Sequence, residues 1–241
     1  MALAHMRGIW KTAHHALWSI CIFLMFTGCA RTVTDKSELL QIDIEVSLRG
    51  ALSPNNYLAI AFSTNSPPTM PSGSDITYFP LPGQTLDNTR LNIDTPIETY
   101  YADYFSTWSD YLLCQIGGPS FYTSGSTGFS ATTTDNTSIA PDTAFQISHN
   151  FQSSTSTLKM SFFIGDLTNA VAGNTLYITM MTTRHNGTDE GDSGYFQDVL
   201  LTPIAIQLRA GQEIQKLPGQ ESIDDSIPAA SDIQAWRVSI F

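Results

Sequence analysis

Four stretches of this chain alternate apolar and polar side chains with a period of two. In the first, Ile42, Ile44, Val46 and Leu48 fall on one side, and Asp43, Glu45, Ser47 and Arg49 on the other. Phe145, Ile147, His149 and Phe151 make the second, Leu158, Met160, Phe162 and Ile164 the third, and Leu176, Ile178 and Met180 the fourth. Successive side chains of a strand point to opposite faces, so each stretch predicts a strand with one face for a core. Residues 57–62 are apolar throughout, as in a strand covered on both sides; 108–116, 200–208 and 233–240 complete the set, with a weak strand at Phe121-Tyr122. Turn-forming residues lie between 49 and 57 and between 151 and 158, so two hairpins are expected, 41–49 with 57–62 and 145–151 with 158–164. Asp166 is placed to cap a short helical turn running to Val171. About eight strands and almost no helix predict an all-β fold, an antiparallel β-sandwich, with a closed barrel as the alternative.

Composition narrows the function classes. Hydrophobic residues make up 42% of the 241, charged residues 14%, and the net charge is −11. A disordered chain would be poorer in apolar residues, and a nucleic-acid binder needs clustered Lys and Arg, so no nucleic-acid partner is expected. The length suits one domain. No apolar run is long enough for a transmembrane helix.

The first residues read as an address. Arg7 and Lys11 open the chain without an acidic residue, and residues 16–26 are apolar apart from Ser19. Eleven residues of helix span about 16 Å, half of a bilayer core, which fits an export signal. Phe26-Thr27-Gly28-Cys29 follows directly and resembles the lipobox of bacterial lipoproteins, with Phe26 where Leu is usual. The resemblance implies cleavage after Gly28 and a diacylglyceryl thioether on Cys29, with palmitate-type chains holding the protein on a membrane. Ala30 after the Cys implies the outer membrane in a cell that has two. Three parts are therefore expected: a signal peptide at 1–28, a lipidated tether at 29–40 and a single sandwich domain at 41–241. Loss of 28 residues leaves 213, removes Arg7 and Lys11, and takes the charge to about −13. Cys114 is then the one cysteine beside Cys29, so no internal disulfide is expected.

Catalytic motifs fail on inspection. Residues 122–128, Tyr-Thr-Ser-Gly-Ser-Thr-Gly, resemble the phosphate loop of adenylate-forming enzymes, but Phe129-Ser130-Ala131 stands where Pro-Lys-Gly should follow. Residues 191–194, Gly-Asp-Ser-Gly, resemble the nucleophile motif of trypsin-like proteases, yet Tyr195 replaces the glycine of the oxyanion hole. His149 and His185 lack that family's context, and a triad needs a base and an orienting carboxylate. No catalytic residue is assigned. Too few His and Cys accompany these for zinc. His149 falls on the apolar phase of its strand and is expected in the core, as is Cys114.

Binding candidates are two. Asp189, Glu190 and Asp192 crowd a loop that could supply oxygen ligands to Ca²⁺, or could be a solvated turn. Tyr100, Tyr101, Tyr104, Trp108 and Tyr111 could stack on a glycan, or could pack against a sheet. With the lipobox, residues 108–111 (Trp-Ser-Asp-Tyr) and the closing Trp236-Arg237-Val238, the pattern resembles single-domain β-sandwich lipoproteins of bacteria. The general look is also similar to immunoglobulin-like, transthyretin-like and carbohydrate-binding-module sandwiches. Trp236, Val238, Ile240 and Phe241 also resemble the closing strand of an outer-membrane barrel, but the other strands are too short and uneven for one. The expectation is a non-enzymatic structural or accessory envelope protein anchored by lipid. A module binding a glycan or another envelope component is the alternative, and an exported hydrolase stands third.

Overall fold

The computed structural model describes residues 40–70, 78–82, 104–124, 129, 140–184, 195–200, 202–209 and 215–241. All of them belong to the unit that runs from Asp35 to Phe241. Among the described residues eleven strands follow in order: β1 Gln41–Leu48, β2 Asn56–Ser63, β3 Asp110–Gln115, β4 Gly118–Thr123, β5 Ser148–His149, β6 Thr157–Phe163, β7 Thr175–Arg184, β8 Tyr195–Val199, β9 Ile204–Gln207, β10 Gln215–Gln220 and β11 Ile233–Ile240. They form two antiparallel sheets. The first has the order β10-β11-β1-β6-β5, and the second β4-β3-β2-β7-β8, with β9 also on β7. Among the described residues both sheets keep open edges and pack face to face, as in a β-sandwich rather than a closed barrel.

The alternating residues meet between the sheets. Ile42, Ile44, Val46 and Leu48 from β1 join Leu158, Met160 and Phe162 from β6 and Val238 and Ile240 from β11. Opposite them stand Leu58, Ile60 and Phe62 from β2, Leu112 and Cys114 from β3, and Leu176, Ile178 and Met180 from β7. Phe62 and Phe162 meet edge to face across the gap, with centroids 5.8 Å apart. Full burial of each such side chain contributes about 1.5–3 kcal/mol, and this layer is the main core.

Strand partners depart from the expectation in one place. β1 and β2 are not a hairpin: β1 pairs with β11 and β6, while β2 pairs with β3 and β7 in the other sheet. The period of two assigns faces, and residues 49–55 carry the chain across the sandwich rather than back along one sheet. The second hairpin does form, with His149 opposite Met160. Asp166 does not cap a helix; it lies inside a 3₁₀ turn over Ile164–Asp166 that begins at Phe163 with no side-chain cap. The strand expected at 200–208 is shorter, Ile204–Gln207, and Leu200 lies between it and β8.

Each end of the sandwich is tied. Where β1 begins, buried Asp110 accepts hydrogen bonds from the Thr168 N–H at 2.9 Å, the Thr168 hydroxyl at 2.7 Å and the Ser109 hydroxyl at 2.9 Å. This joins the β6–β7 connection to the start of β3. Where β1 ends, Arg49 Nε lies 2.7 Å from Asp232 Oδ2. The contact is poorly aligned as a hydrogen bond and acts as an ion pair. The same guanidinium reaches Asp225 Oδ1 at 3.2 Å and donates to the carbonyls of Asp224 and Ile227, fixing the β10–β11 connection.

Candidate functional site

The aromatic segment is placed by the second sheet. The outward residues of that sheet are Ala59, Ala61, Tyr111, Leu113 and Met181, and Phe79, Leu81, Phe105, Trp108 and Phe129 lie over them as a second buried layer. Trp108 is 3% exposed and Tyr111 0%. Their rings meet at 5.8 Å, and Tyr111 stacks on Tyr122 at 4.7 Å with the planes 6° apart. The polar tips are taken as well. Trp108 Nε1 donates to the Thr69 carbonyl at 2.8 Å, and the Tyr111 hydroxyl donates to the Pro82 carbonyl. A ring can stack on a sugar only with a free face, so Trp108 and Tyr111 serve packing, a correction to their candidacy as binding residues. Tyr104 is half-buried and meets Phe79 edge-on at 5.3 Å. Tyr100 and Tyr101 lie outside the described residues.

His149 is a correction of a different kind. It is exposed, because β5 is an edge strand of two residues and the imidazole lies against Gly118 rather than in the core. A Cβ on Gly118, whose φ is +138°, would come within 2.8 Å of His149 Nε2. Cys114 is buried between the sheets, and burial pushes its thiol far above the ordinary range, so it is inert as a nucleophile. Gly28, Cys29, His185, the loop bearing Asp189, Glu190 and Asp192, and the Gly-Asp-Ser-Gly stretch all lie outside the described residues. So do residues 125–128 of the glycine-rich motif, whose first residues Tyr122 and Thr123 are in β4. Among the described residues no three His, Cys, Asp or Glu side chains gather closely enough to hold a metal ion. No described helix is long and apolar enough to cross a membrane.

One concavity among the described residues was not anticipated. A cleft of about 560 Å³ opens where β8 of one sheet faces β10 and β11 of the other, lined by Phe196, Asp198, Glu221, Asp224, Asp232 and Trp236. Trp236 is paired across the ladder with Gly219. Its indole occupies the space a side chain there would need: a Cβ on Gly219 would lie 2.1 Å from the ring. Glycine at 219 thus lets the indole lie flat against β10, half-buried, beside the cleft.

The carboxylates of the cleft have structural partners. Asp198 accepts from the N–H groups of Val199 and Ile233, each at 2.8 Å, which locks β8 onto β11. Burial raises its carboxyl above the ordinary value, the two N–H donors offset part of that, and the charges of Asp232 and Asp224 raise it further. Asp232 is held by Arg49. Asp224 accepts from the Ser226 N–H and hydroxyl, which lower its carboxyl. A glycosidase pair needs one carboxyl as acid and one free to act as base or nucleophile. Here an indole, amides and carboxylates offer stacking and hydrogen bonds to a polar solute. From sequence these residues gave no joint signal, because they come from three segments between 196 and 236 that only the topology brings together. Neither the family models, the curated proteins nor the solved structures offer a match to this chain.

Proposed function

We propose that this chain is an exported lipoprotein of the bacterial envelope, held on a membrane through Cys29, whose sandwich domain serves there as a structural or accessory protein without catalysis. The supporting observation is the order of segments. A basic start, an apolar run over 16–26, the lipobox-like Phe26-Thr27-Gly28-Cys29 and a short polar stretch lead straight into β1. β1 is a central strand of the first sheet, and a tether of about eleven residues before it would hold the sandwich close to its lipid. By resemblance, Ala30 directs it to the outer membrane where there are two. The test is intact-mass spectrometry of the membrane-bound protein. The expected form starts at Cys29 and carries a diacylglyceryl group, and Cys29→Ser abolishes both the mass shift and membrane retention. A chain that retains its first 28 residues in cells contradicts the proposal.

A second reading, a module that binds a glycan or another envelope component, is favoured by the cleft beside Trp236. The indole, Gln220 and the carboxylates there suit hydroxyl-rich ligands. Soluble envelope glycans should then change Trp236 fluorescence, and Trp236→Ala should abolish binding while leaving the fold intact. Silence across such glycans removes this reading and leaves the first untouched.

A further inference from the structure

Among the described residues four large apolar side chains stand exposed: Phe163, Val171, Ile223 and Phe241. Three of them belong to one end of the sandwich. Gln41, the first residue of β1, is paired with Phe163, the last of β6. The Phe241 N–H donates to the Gln41 carbonyl at 3.0 Å, just beyond the β11 pairing of Ile240 with Ile42. Phe241, Gln41 and Phe163 therefore form a row across three adjacent strands, with the two phenylalanines about 10 Å apart by strand spacing. Phe163 is 49% exposed and Phe241 45%. Val171, 43% exposed, lies in the connection from β6 to β7 at the same end.

Single exposed apolar residues are ordinary. Two phenyl rings flanking the strand by which the chain enters the domain are a more specific arrangement. Cys29 precedes Leu40 by eleven residues, which can span at most about 40 Å. We infer that this end of the sandwich rests on the lipid surface, with Phe163 and Phe241 set into the boundary between headgroups and acyl chains. The inference rests on the lipid anchoring proposed above. Apolar side chains bind such a boundary weakly on their own, but a short tether raises their local concentration there, so a small patch suffices. Charge does not drive the contact. Among the described residues this end carries Asp43, whose carboxylate accepts from Gln41 and Ser161, buried Asp110, Asp142 and Asp166, against Lys216 on β10 and Arg209 after β9. The acids offset these two cations, so no anionic headgroup is required and a zwitterionic bilayer should serve.

The test uses the full lipidated chain in phosphatidylcholine vesicles, with a nitroxide label at Phe163→Cys or, separately, Phe241→Cys. Lipidation blocks Cys29, and Cys114 is buried, so the new thiol alone takes the label. A label at Ser153→Cys, in the turn at the opposite end between β5 and β6, is the reference. The expected result is a several-fold higher ratio of collisions with oxygen to collisions with a water-soluble nickel chelate at 163 and 241 than at 153. Equal ratios in a chain shown by mass to be lipidated overturn the contact and leave the anchoring standing. Absence of the diacylglyceryl group overturns both. Dipolar broadening between labels at 163 that grows with protein density would assign the patch to a second copy, and would also overturn the lipid contact.

Discussion

The two sheets bury their inner faces in the same manner but differ in what covers the outside. On the first sheet, the outward residues of β1, β6 and β11 form a charged ladder. Glu45 lies 3.1 Å from Lys159 and 3.9 Å from Arg237 on the strands either side, and Asp43 accepts from the Ser161 hydroxyl at 2.6 Å. On the second sheet, the outward positions are Ala59, Ala61, Leu113 and Met181, roofed by Phe79, Phe105, Trp108 and Phe129. A strand facing water on one side alternates, whereas a strand covered on both sides reads as a continuous apolar run. β1 shows the first pattern and β2 the second. The difference explains why Phe105, Trp108 and Tyr111 pack rather than face solvent: they belong to the layer that the second sheet requires.

If the roof is core, damage there should be costly. Phe105→Ala or Trp108→Ala is expected to lower stability by about 3–5 kcal/mol, read from urea unfolding. A loss below about 1 kcal/mol would mean the layer is only loosely laid on the sheet. Asp110 ties this sheet to the β6–β7 connection, and Asp110→Ala takes the acceptor from the Thr168 N–H and hydroxyl, while the Ser109 hydroxyl keeps the Phe62 carbonyl at 3.1 Å. The expected cost is about 3 kcal/mol by the same measurement. The roof also has a flaw that sharpens the contrast. The Thr179 and Thr183 hydroxyls are buried beneath it without a hydrogen-bond partner among the described residues. Thr179→Val, of nearly equal shape, should raise stability by about 1 kcal/mol.

Acid should act through the buried carboxyls. Burial raises Asp110 and Asp198 above the ordinary value. A raised carboxyl binds its proton more tightly in the folded state, so its contribution is fullest when protonated and is lost as pH climbs through the raised pKa. The melting temperature should therefore increase as pH falls from neutral toward the ordinary carboxyl range, and Asp198→Asn should flatten that increase. Asp224 is shifted the other way and opposes only below its ordinary value of 3.8. Equal slopes in the two proteins would contradict the assignment. The smallest effect belongs to the open face: Lys159→Ala should change stability by no more than about 0.5 kcal/mol, since exposed ion pairs contribute little.

Face assignment was the legible part of this fold. The period of two placed Ile42–Leu48 and Leu158–Phe162 in the core correctly, and the apolar run at 57–62 marked a strand covered twice. Pairing was not legible, because alternation says which way a side chain points and nothing about its neighbour; hence the mistaken hairpin of β1 with β2. β10 was not among the expected strands, and it holds Pro218 and Gly219, residues that strands seldom carry. An edge strand tolerates a proline that cannot donate to the ladder, and the glycine makes room for Trp236. His149 was misplaced for a related reason: its phase in the pattern is apolar, but an edge strand of two residues leaves it uncovered. The cleft was invisible because Asp198, Glu221 and Trp236 share no local motif.

The most direct test of the roofed sheet is urea unfolding of a Trp236→Phe chain beginning at residue 30, in which Trp108 is the sole tryptophan. Trp108 fluorescence reports the outer layer, and far-ultraviolet circular dichroism reports the sheets. If the layer is part of one cooperative core, the two transitions coincide in midpoint and slope. A fluorescence transition at clearly lower urea, with the sheets still intact, would show a detachable flap and contradict the account.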